Sequence, residues 1–202
     1  MGSVTLNSPR LAVPGLYLPG AGELGSPKNS VGDGNFDNIP AIWTLSPDGG
    51  TVEQSTTQAK YGTSSMRLVA SAQVVYAYQN ILLPVGHKFY VAAWCWLASG
   101  SLTTTGLYMS IMDWVGTTTS ANKTLANGSL GANWQKRSAV VTVGSGYTGL
   151  RIVCGRTSNQ TAEYFIDGIL GVHLDRCLPK SKLNLPEADL KTYCDTRFPE
   201  YF

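Results

Sequence analysis

Hydrophobic positions in this chain fall in short runs bounded by turns, and the most apolar run spans residues 87–97. In this run Phe89 and Val91 share one face of an extended chain, while Tyr90 and Trp94 share the other. The run is rich in aromatic and β-branched residues and has no internal glycine or proline, a composition typical of a strand. Because both faces are apolar, we predict a central strand covered on both sides, which requires a second layer of structure.

The same pattern recurs along the chain, with turn residues between the runs. The predicted strands cover residues 51–55, 65–70, 73–83, 87–97, 106–114, 134–143, 149–156 and 162–174. No amphipathic helical run precedes residue 185. Short strands without intervening helices predict an all-β fold, an antiparallel β-sandwich of the jelly-roll type.

Both ends of the chain depart from this pattern. Residues 1–30 carry repeated prolines and glycines, and they predict an extended N-terminal arm that lies against the domain or a partner. Residues 31–175 would form the jelly-roll domain, and residues 176–202 a C-terminal tail. In this tail Pro186 stands at the first position of a predicted short helix, which ends before Pro199. We expect the aromatic end of the tail to dock on another surface.

Composition narrows the classes of function. Only 14% of the residues are charged, against about 25% in an average soluble domain, which suits an all-β protein or a component of an assembly. The net charge of +2 comes without a basic cluster, which argues against nucleic acid as a partner. An apolar run of about 18 residues and a secretory signal pattern are both missing, so we expect no membrane partner and no export.

Six short motifs follow one another in an order that resembles a known family. They are Gly34-Asn35-Phe36-Asp37, Trp43, residues 61–68, residues 89–94, Trp134-Gln135-Lys136 and Tyr164-Phe165-Ile166-Asp167-Gly168-Ile169. Their order is similar to that of carbohydrate-binding-module jelly rolls of families 4 and 9 and the related galactose-binding-like type. The likeness covers residues 30–174. This chain departs from the pattern at Gly32-Asp33-Gly34, which replaces an asparagine-led start, and at Gly168, which replaces a second aspartate.

Sugar binding requires aromatic faces for stacking and a few polar groups for hydroxyls. The candidate carbohydrate-binding residues in the sequence are Tyr76, Tyr78, Tyr108, Trp114, Gln79 and Asp113, with Trp96 and Asn80 as further members of the set. Strand alternation places Tyr76 and Tyr78 on the same face of one strand. It likewise places Tyr108 and Trp114 on the same face of another strand. The alternative is that most of these rings belong to the core.

The resemblance also implies a structural calcium ion, because such modules commonly hold one, although no cofactor is required. Asp37 and Asp167 stand where the family pattern would place its ligands. Calcium needs six to eight oxygen ligands, and an alternative role for Asp37 is simple turn formation. For catalysis we find neither a nucleophile motif nor carboxylates placed in a groove, so we predict that the protein is not an enzyme.

Two hypotheses about function follow, and they are compatible. In the first, the chain is a structural or accessory protein of a bacteriophage virion, such as a head decoration, neck or tail component. Its terminal arms would then hold it to other virion proteins or to copies of itself. In the second, it is a lectin-like module that binds host or environmental glycans. The first rests on the low charge, on the unsupported apolar arms and on the frequency of such modules in tailed-phage particles.

Overall fold

The structure is a computed structural model. It describes residues 28–39, 41–47, 49–71, 75–100, 107–121, 123–127, 130–155 and 161–198, and the side chains of residues 107, 108 and 124–127 lie outside this description. Most of the predicted N-terminal arm and the last four residues of the tail are therefore outside the described residues.

Within this part of the chain the secondary structure comprises eleven strands and three helices. The strands are β1 (Thr44–Ser46), β2 (Gly50–Ser55), β3 (Ser65–Ser71), β4 (Tyr76–Leu82), β5 (Lys88–Gly100), β6 (Leu107–Val115), β7 (Thr118–Thr119), β8 (Lys123–Asn127), β9 (Gln135–Thr142), β10 (Gly149–Gly155) and β11 (Thr161–His173). The helices are α1 (Leu174–Cys177), α2 (Lys180–Leu183) and α3 (Glu187–Arg197). The predicted all-β fold with a short C-terminal helical region is confirmed.

The strands form two antiparallel sheets. Sheet A has the order β1-β4-β10-β6-β7, with β8 also paired to β6, and sheet B has the order β2-β3-β11-β5-β9. Neighbours in each sheet are mostly distant in sequence, as in a sandwich whose chain crosses repeatedly between layers. The predicted central strand is β5, which lies between β11 and β9 in sheet B.

The main core lies between the inner faces of the two sheets. Its largest fully buried side chains include Trp43, Phe36, Phe89, Met66 and Tyr164. Burial of each such side chain stabilises the fold by about 1.5–3 kcal/mol. The core is large enough that the fold does not depend on disulfides, and all four cysteines are free and buried.

A second core lies on the outer face of sheet B, where helix α3 covers the first half of β5. Tyr90 and Leu170 of the sheet pack in one cluster with Leu190, Cys194 and Phe198 of the helical segment. Strand β5 is thus covered by sheet A on one face and by the C-terminal helices on the other. Both faces of β5 are apolar in the sequence because each face is buried against a different layer.

The described end of the N-terminal arm contacts the domain itself. The backbone N–H of Ser30 donates to the carbonyl of Gly171 at 2.7 Å. The side chain of Asn29 donates to the carbonyl of Ile169 and accepts from the N–H of Gly171, both at 2.9 Å. This short segment therefore lies beside the last part of β11 and is hydrogen-bonded to it.

Candidate functional site

The outer face of sheet A carries most of the aromatic residues predicted to bind sugar. Tyr76 and Tyr78 alternate on β4 with the buried Ala77, so both rings lie opposite the core. Trp114 on β6 pairs with Gly149 of β10, which pairs in turn with Leu82 of β4. Partners in an antiparallel ladder share a face. The structure therefore brings Tyr76, Tyr78 and Trp114 to one surface.

The centre of this face has a buried floor flanked by partly exposed rings. The floor consists of Ser110, Val153 and Met112, which are exposed by 0%, 4% and 6%. Around it Tyr76, Tyr78 and Trp114 are half-buried and Leu82 is exposed. None of the three predicted rings is fully buried, so the alternative that they belong to the core does not hold for them.

Two polar residues on this face are arranged around Tyr78. The guanidinium carbon of Arg151 lies 4.2 Å from the centre of the Tyr78 ring. The Nε of Arg151 also donates to the side-chain oxygen of Asn80 at 2.8 Å. The rings of Tyr76 and Tyr78 are 6.2 Å apart. Aromatic, guanidinium and amide groups thus converge on one part of the outer face.

Ser110 is the polar group at the floor. Its side chain shares the row of Tyr78 and Val153 across three strands. Its hydroxyl oxygen is buried and makes no hydrogen bond within the part of the chain that the structure describes. A buried hydroxyl without a partner is costly, but Ser110 is 0% exposed, so a ligand could satisfy this hydroxyl only after the side chains that cover it move.

The other predicted binding residues lie elsewhere or outside the description. The side chain of Tyr108 is outside the described part of the structure. Gln79 points away from the outer face, accepts from the N–H of Gly32 at 2.8 Å and donates to its carbonyl at 3.0 Å. Asp113 is buried, accepts from the N–H of Gly144 and forms an ion pair with Lys123 at 2.7 Å. Gln79 and Asp113 therefore hold loops in place and do not join the aromatic face.

Sequence reasoning missed Arg151 and Ser110. Ser110 has the same strand parity as Trp114, a signal that was available in the sequence. The position of Arg151 follows only from the register of β10 against β4, which pairs it with Asn80.

Trp96 lies on the opposite side of the molecule, on sheet B. Its ring stacks on Phe165 at 5.6 Å and contacts Trp134 at 5.9 Å. Trp94 is half-buried next to them, with the ammonium of Lys60 at 4.2 Å from its ring centre. These rings form a separate aromatic cluster, far from Tyr78 in the fold.

Asp37 and Asp167, the predicted calcium ligands, lie in one region between β11 and the 60–64 loop. Asp167 is fully buried, and its two oxygens accept from the backbone N–H groups of Lys60, Tyr61 and Gly168 at 2.6–2.8 Å. The oxygens of Asp37 accept from Asn35 and Ser64. Both carboxylates thus accept hydrogen bonds, and a calcium ion would compete with these donors for the carboxylate oxygens, most strongly at the buried Asp167. Calcium binding here stays a prediction.

Burial raises the pKa of Asp167 to about 6, while the hydrogen bonds from Tyr61, Lys60 and Gly168 act in the opposite direction and the charge of Asp37 adds to the rise. The next residue, Gly168, has a φ of 58°, and a Cβ atom there would lie 2.5 Å from the ring of Tyr61. The aspartate of the family pattern could therefore not stand at this position without moving that ring.

Comparison with known proteins finds similar folds but no related sequences. No family model matches the chain, and no curated protein sequence matches it. Among solved structures, family 16 carbohydrate-binding module 2 matches with a TM-score of 0.52 at 16% identity, over 71% of this chain and 99% of that one. A xylan-binding domain of family 22 from Paenibacillus barcinonensis has a TM-score of 0.53 at 14% identity, over 76% of this chain and 98% of that one.

A third similar structure belongs to a virus. The enzymatically active domain of tailspike protein 4 from bacteriophage CBA120 matches with a TM-score of 0.50 at 19% identity, over 71% of this chain and 21% of that one. The chain therefore has the jelly-roll fold of carbohydrate-binding modules, as the order of its motifs predicted.

In the described residues no helix is long and apolar enough to cross a membrane.

Proposed function

We propose that this protein is a carbohydrate-binding module that binds a glycan on the outer face of sheet A. The observation that carries the proposal is the arrangement on that face: three partly exposed aromatic rings stand around a buried floor that contains an unsatisfied hydroxyl. Aromatic platforms with a few placed polar groups are what a sugar ligand needs. The fold supports the same function, since the family 22 neighbour is described as xylan-binding.

The spacing of the rings favours an oligosaccharide. Tyr78 and Trp114 are two strands apart across the sheet and, through the paired residues, four positions apart along it. Strand spacing and rise place their Cα atoms about 16 Å apart. A single sugar ring cannot contact both side chains, so a ligand that uses both must be a chain of several sugars.

The charges of the face support binding without cleavage. Among its described residues Arg151 is the one charged side chain, and a pair of carboxylates that could cleave a glycosidic bond is not present among them. The ligand would therefore be a neutral or an acidic glycan, because an acidic sugar can accept hydrogen bonds from Arg151.

A glycan array of the purified chain, followed by titration of the best oligosaccharide, tests the proposal. We expect Tyr78→Ala and Trp114→Ala each to weaken binding by roughly fivefold or more, since each ring stack contributes about 1 kcal/mol beyond burial. Tyr61→Ala and Trp134→Ala are matched controls, because these half-buried rings lie in loops beside sheet B, against Trp94 and Trp96. Equal losses in both pairs, or no glycan bound by the folded protein, would contradict the proposal.

A role in a bacteriophage virion is the second candidate function. The similarity to a tailspike domain supports it. The C-terminal tail gives this role less support, because its Phe198 packs against Tyr90 of its own domain, with the ring centres 5.7 Å apart, and is buried there. Analytical ultracentrifugation of the full chain tests the assembly that this role implies. We expect a defined oligomer, and a monomer at high concentration would count against it.

A further inference from the structure

The two histidines of this chain lie side by side although 85 residues separate them in sequence. His87 enters β5 and His173 ends β11, and these strands are neighbours in sheet B. Nδ1 of His87 and Nε2 of His173 are 2.7 Å apart. His173 is only 6% exposed and His87 is half-buried, so the pair is held in place by packing.

A carboxylate completes the group. Asp175, in the first turn after β11, offers an oxygen, and the ligand atoms of His87, His173 and Asp175 all lie within 4.8 Å of one another. The other role of this carboxylate is to accept the backbone N–H of Lys88 at 2.6 Å. That bond orients the carboxylate toward the start of β5, where His87 stands.

An open pocket of about 720 Å³ lies next to this group. Its lining includes Gly86, Lys88, Asp175, Lys180 and Leu183. The ammonium of Lys88 donates to the carbonyl of Leu183, which fixes it on the helical side. Asp175 and Gly86, the residue before His87, both line this pocket, so solvent reaches the group on its carboxylate side.

We propose that His87, His173 and Asp175 bind a divalent transition-metal ion such as Zn²⁺. Two imidazole nitrogens and one carboxylate oxygen form a donor set that Zn²⁺, Co²⁺ and Ni²⁺ accept, whereas Ca²⁺ and Mg²⁺ prefer oxygen ligands alone. A solvent molecule from the pocket completes a four-coordinate ion. This site is separate from the outer face of sheet A and from Asp37 and Asp167.

Metal binding requires the three side chains to move. Tetrahedral coordination with metal–nitrogen bonds of about 2.1 Å places two ligand nitrogens roughly 3.4 Å apart. The two nitrogens, now 2.7 Å apart, would therefore separate by about 0.7 Å, each ring would turn its lone pair towards the ion, and the carboxylate would move to bind the same ion. In the metal-free pair one ring nitrogen is the hydrogen-bond donor and the other is the acceptor. When both nitrogens bind the metal, the donor ring must carry its proton on its other nitrogen.

Bound metal would fasten the C-terminal helices to the sandwich. Asp175 lies in α1, His173 ends β11, and His87 directly precedes β5. An ion bound by all three would link the start of the helical segment to β5 and β11. The ion therefore acts as a structural clamp between the helical segment and sheet B.

Calorimetric titration of the full chain, produced without a polyhistidine tag, tests the site with ZnCl₂. We expect one ion per chain, a raised melting temperature in zinc, and Co²⁺ absorption bands typical of four-coordinate geometry. His87→Gln is the principal variant because this residue is half-buried, and it should weaken zinc binding by roughly tenfold or more. Asp175→Asn should weaken binding while keeping an oxygen for the N–H of Lys88.

Cys177→Ala is the matched control, because its buried thiol lies next to His173 in the fold and could otherwise account for zinc binding. We expect this variant to bind zinc as the natural chain does. Absence of zinc and cobalt binding to the natural chain would overturn the proposal. So would binding that survives His87→Gln, or binding that Cys177→Ala abolishes.

Discussion

The guanidinium of Arg151 covers one side of the Tyr78 ring at 4.2 Å, and its Nε is held by Asn80. The three side chains come from neighbouring strands β4 and β10. A guanidinium over an aromatic ring at a partly exposed site contributes about 0.5–1 kcal/mol. The contact fixes the orientation of Tyr78 at the place where the proposed glycan would bind.

We therefore expect Arg151→Ala to weaken glycan binding by about two- to fivefold, because Tyr78 loses the group that orients it. Arg151→Lys should recover little of the loss, since an ammonium is not planar and cannot hold Asn80 and the ring together. Titration of each variant with the same oligosaccharide measures the effect. Unchanged affinity in both variants would show that Arg151 has no part in binding.

Ser110→Ala should change stability and binding in opposite directions. The substitution removes a buried hydroxyl that has no partner in the described structure, so we expect the free energy of unfolding to stay equal or to rise by up to about 1 kcal/mol. Glycan affinity should fall if the ligand moves the side chains that cover Ser110 and bonds its hydroxyl. Urea unfolding and oligosaccharide titration of the same preparation measure both.

Ser138, on β9 of sheet B, offers a control for this variant. Its hydroxyl is bonded to Asp195 at 2.6 Å, so Ser138→Ala should lower stability and leave glycan binding unchanged. If Ser110→Ala instead lowers stability by 1 kcal/mol or more, as the loss of a made hydrogen bond would, the hydroxyl has a partner and the argument for a ligand fails.

The fold could be predicted from the sequence because its signals are local. The two-residue alternation around Phe89 and Tyr90 identifies β5, and the turns on either side set its limits. The same alternation places Tyr76 and Tyr78 together. It also places Gln79 on the opposite face from those tyrosines, and Asp113 on the opposite face from Trp114.

The site could be predicted only in part, because its remaining contacts depend on the pairing of distant strands. Arg151 contacts Tyr78 across 73 positions, and nothing in either segment specifies the register of β10 against β4. The contact between the two histidines could not be predicted for the same reason, since β5 and β11 become neighbours only in the folded sheet. The packing of α3 on its own domain could not be predicted either, because an apolar helix face does not indicate which surface covers it.

Asp167 should make stability depend on pH in the acidic range. Burial raises its pKa from 3.8 to about 6 in the folded protein, so the folded state holds this proton more tightly than the unfolded chain does. The stabilising contribution is fully present below pH 3.8 and is lost as the pH rises through about 6. Carboxyl NMR of Asp167, together with urea unfolding across this range, measures both effects.

The same titration tests the predicted calcium ion. A cation bound at Asp37 and Asp167 would favour the charged carboxylates and lower the pKa of Asp167. If calcium binds here, we expect the Asp167 titration to move to lower pH when calcium is added, and Asp37→Ala to abolish this movement. A titration curve that calcium leaves unchanged would contradict the prediction.

Asp195 should be the polar anchor that holds α3 on sheet B. Its Oδ1 accepts from the hydroxyls of Tyr90 at 2.8 Å and Ser138 at 2.6 Å, and its Oδ2 pairs with Lys191 at 2.7 Å. Asp195→Ala leaves two partly buried hydroxyls without their acceptor, so we expect a loss of about 1–3 kcal/mol in the free energy of unfolding. Lys191→Met is the control and should cost less than about 1 kcal/mol, since its ion pair is partly exposed.

The contribution of Asp195 should disappear in acid. Burial acts to raise its pKa, but the hydrogen bonds from Lys191, Ser138 and Tyr90 outweigh it and lower the pKa below 3.8. A lowered carboxyl pKa contributes stability above the unfolded value of 3.8, and this contribution is lost as the pH falls through the folded value. Urea unfolding of the natural chain and of Asp195→Asn at neutral and acidic pH measures the difference. We expect that difference to shrink with falling pH, and one that stays constant would mean that the charge of Asp195 does not hold the helix.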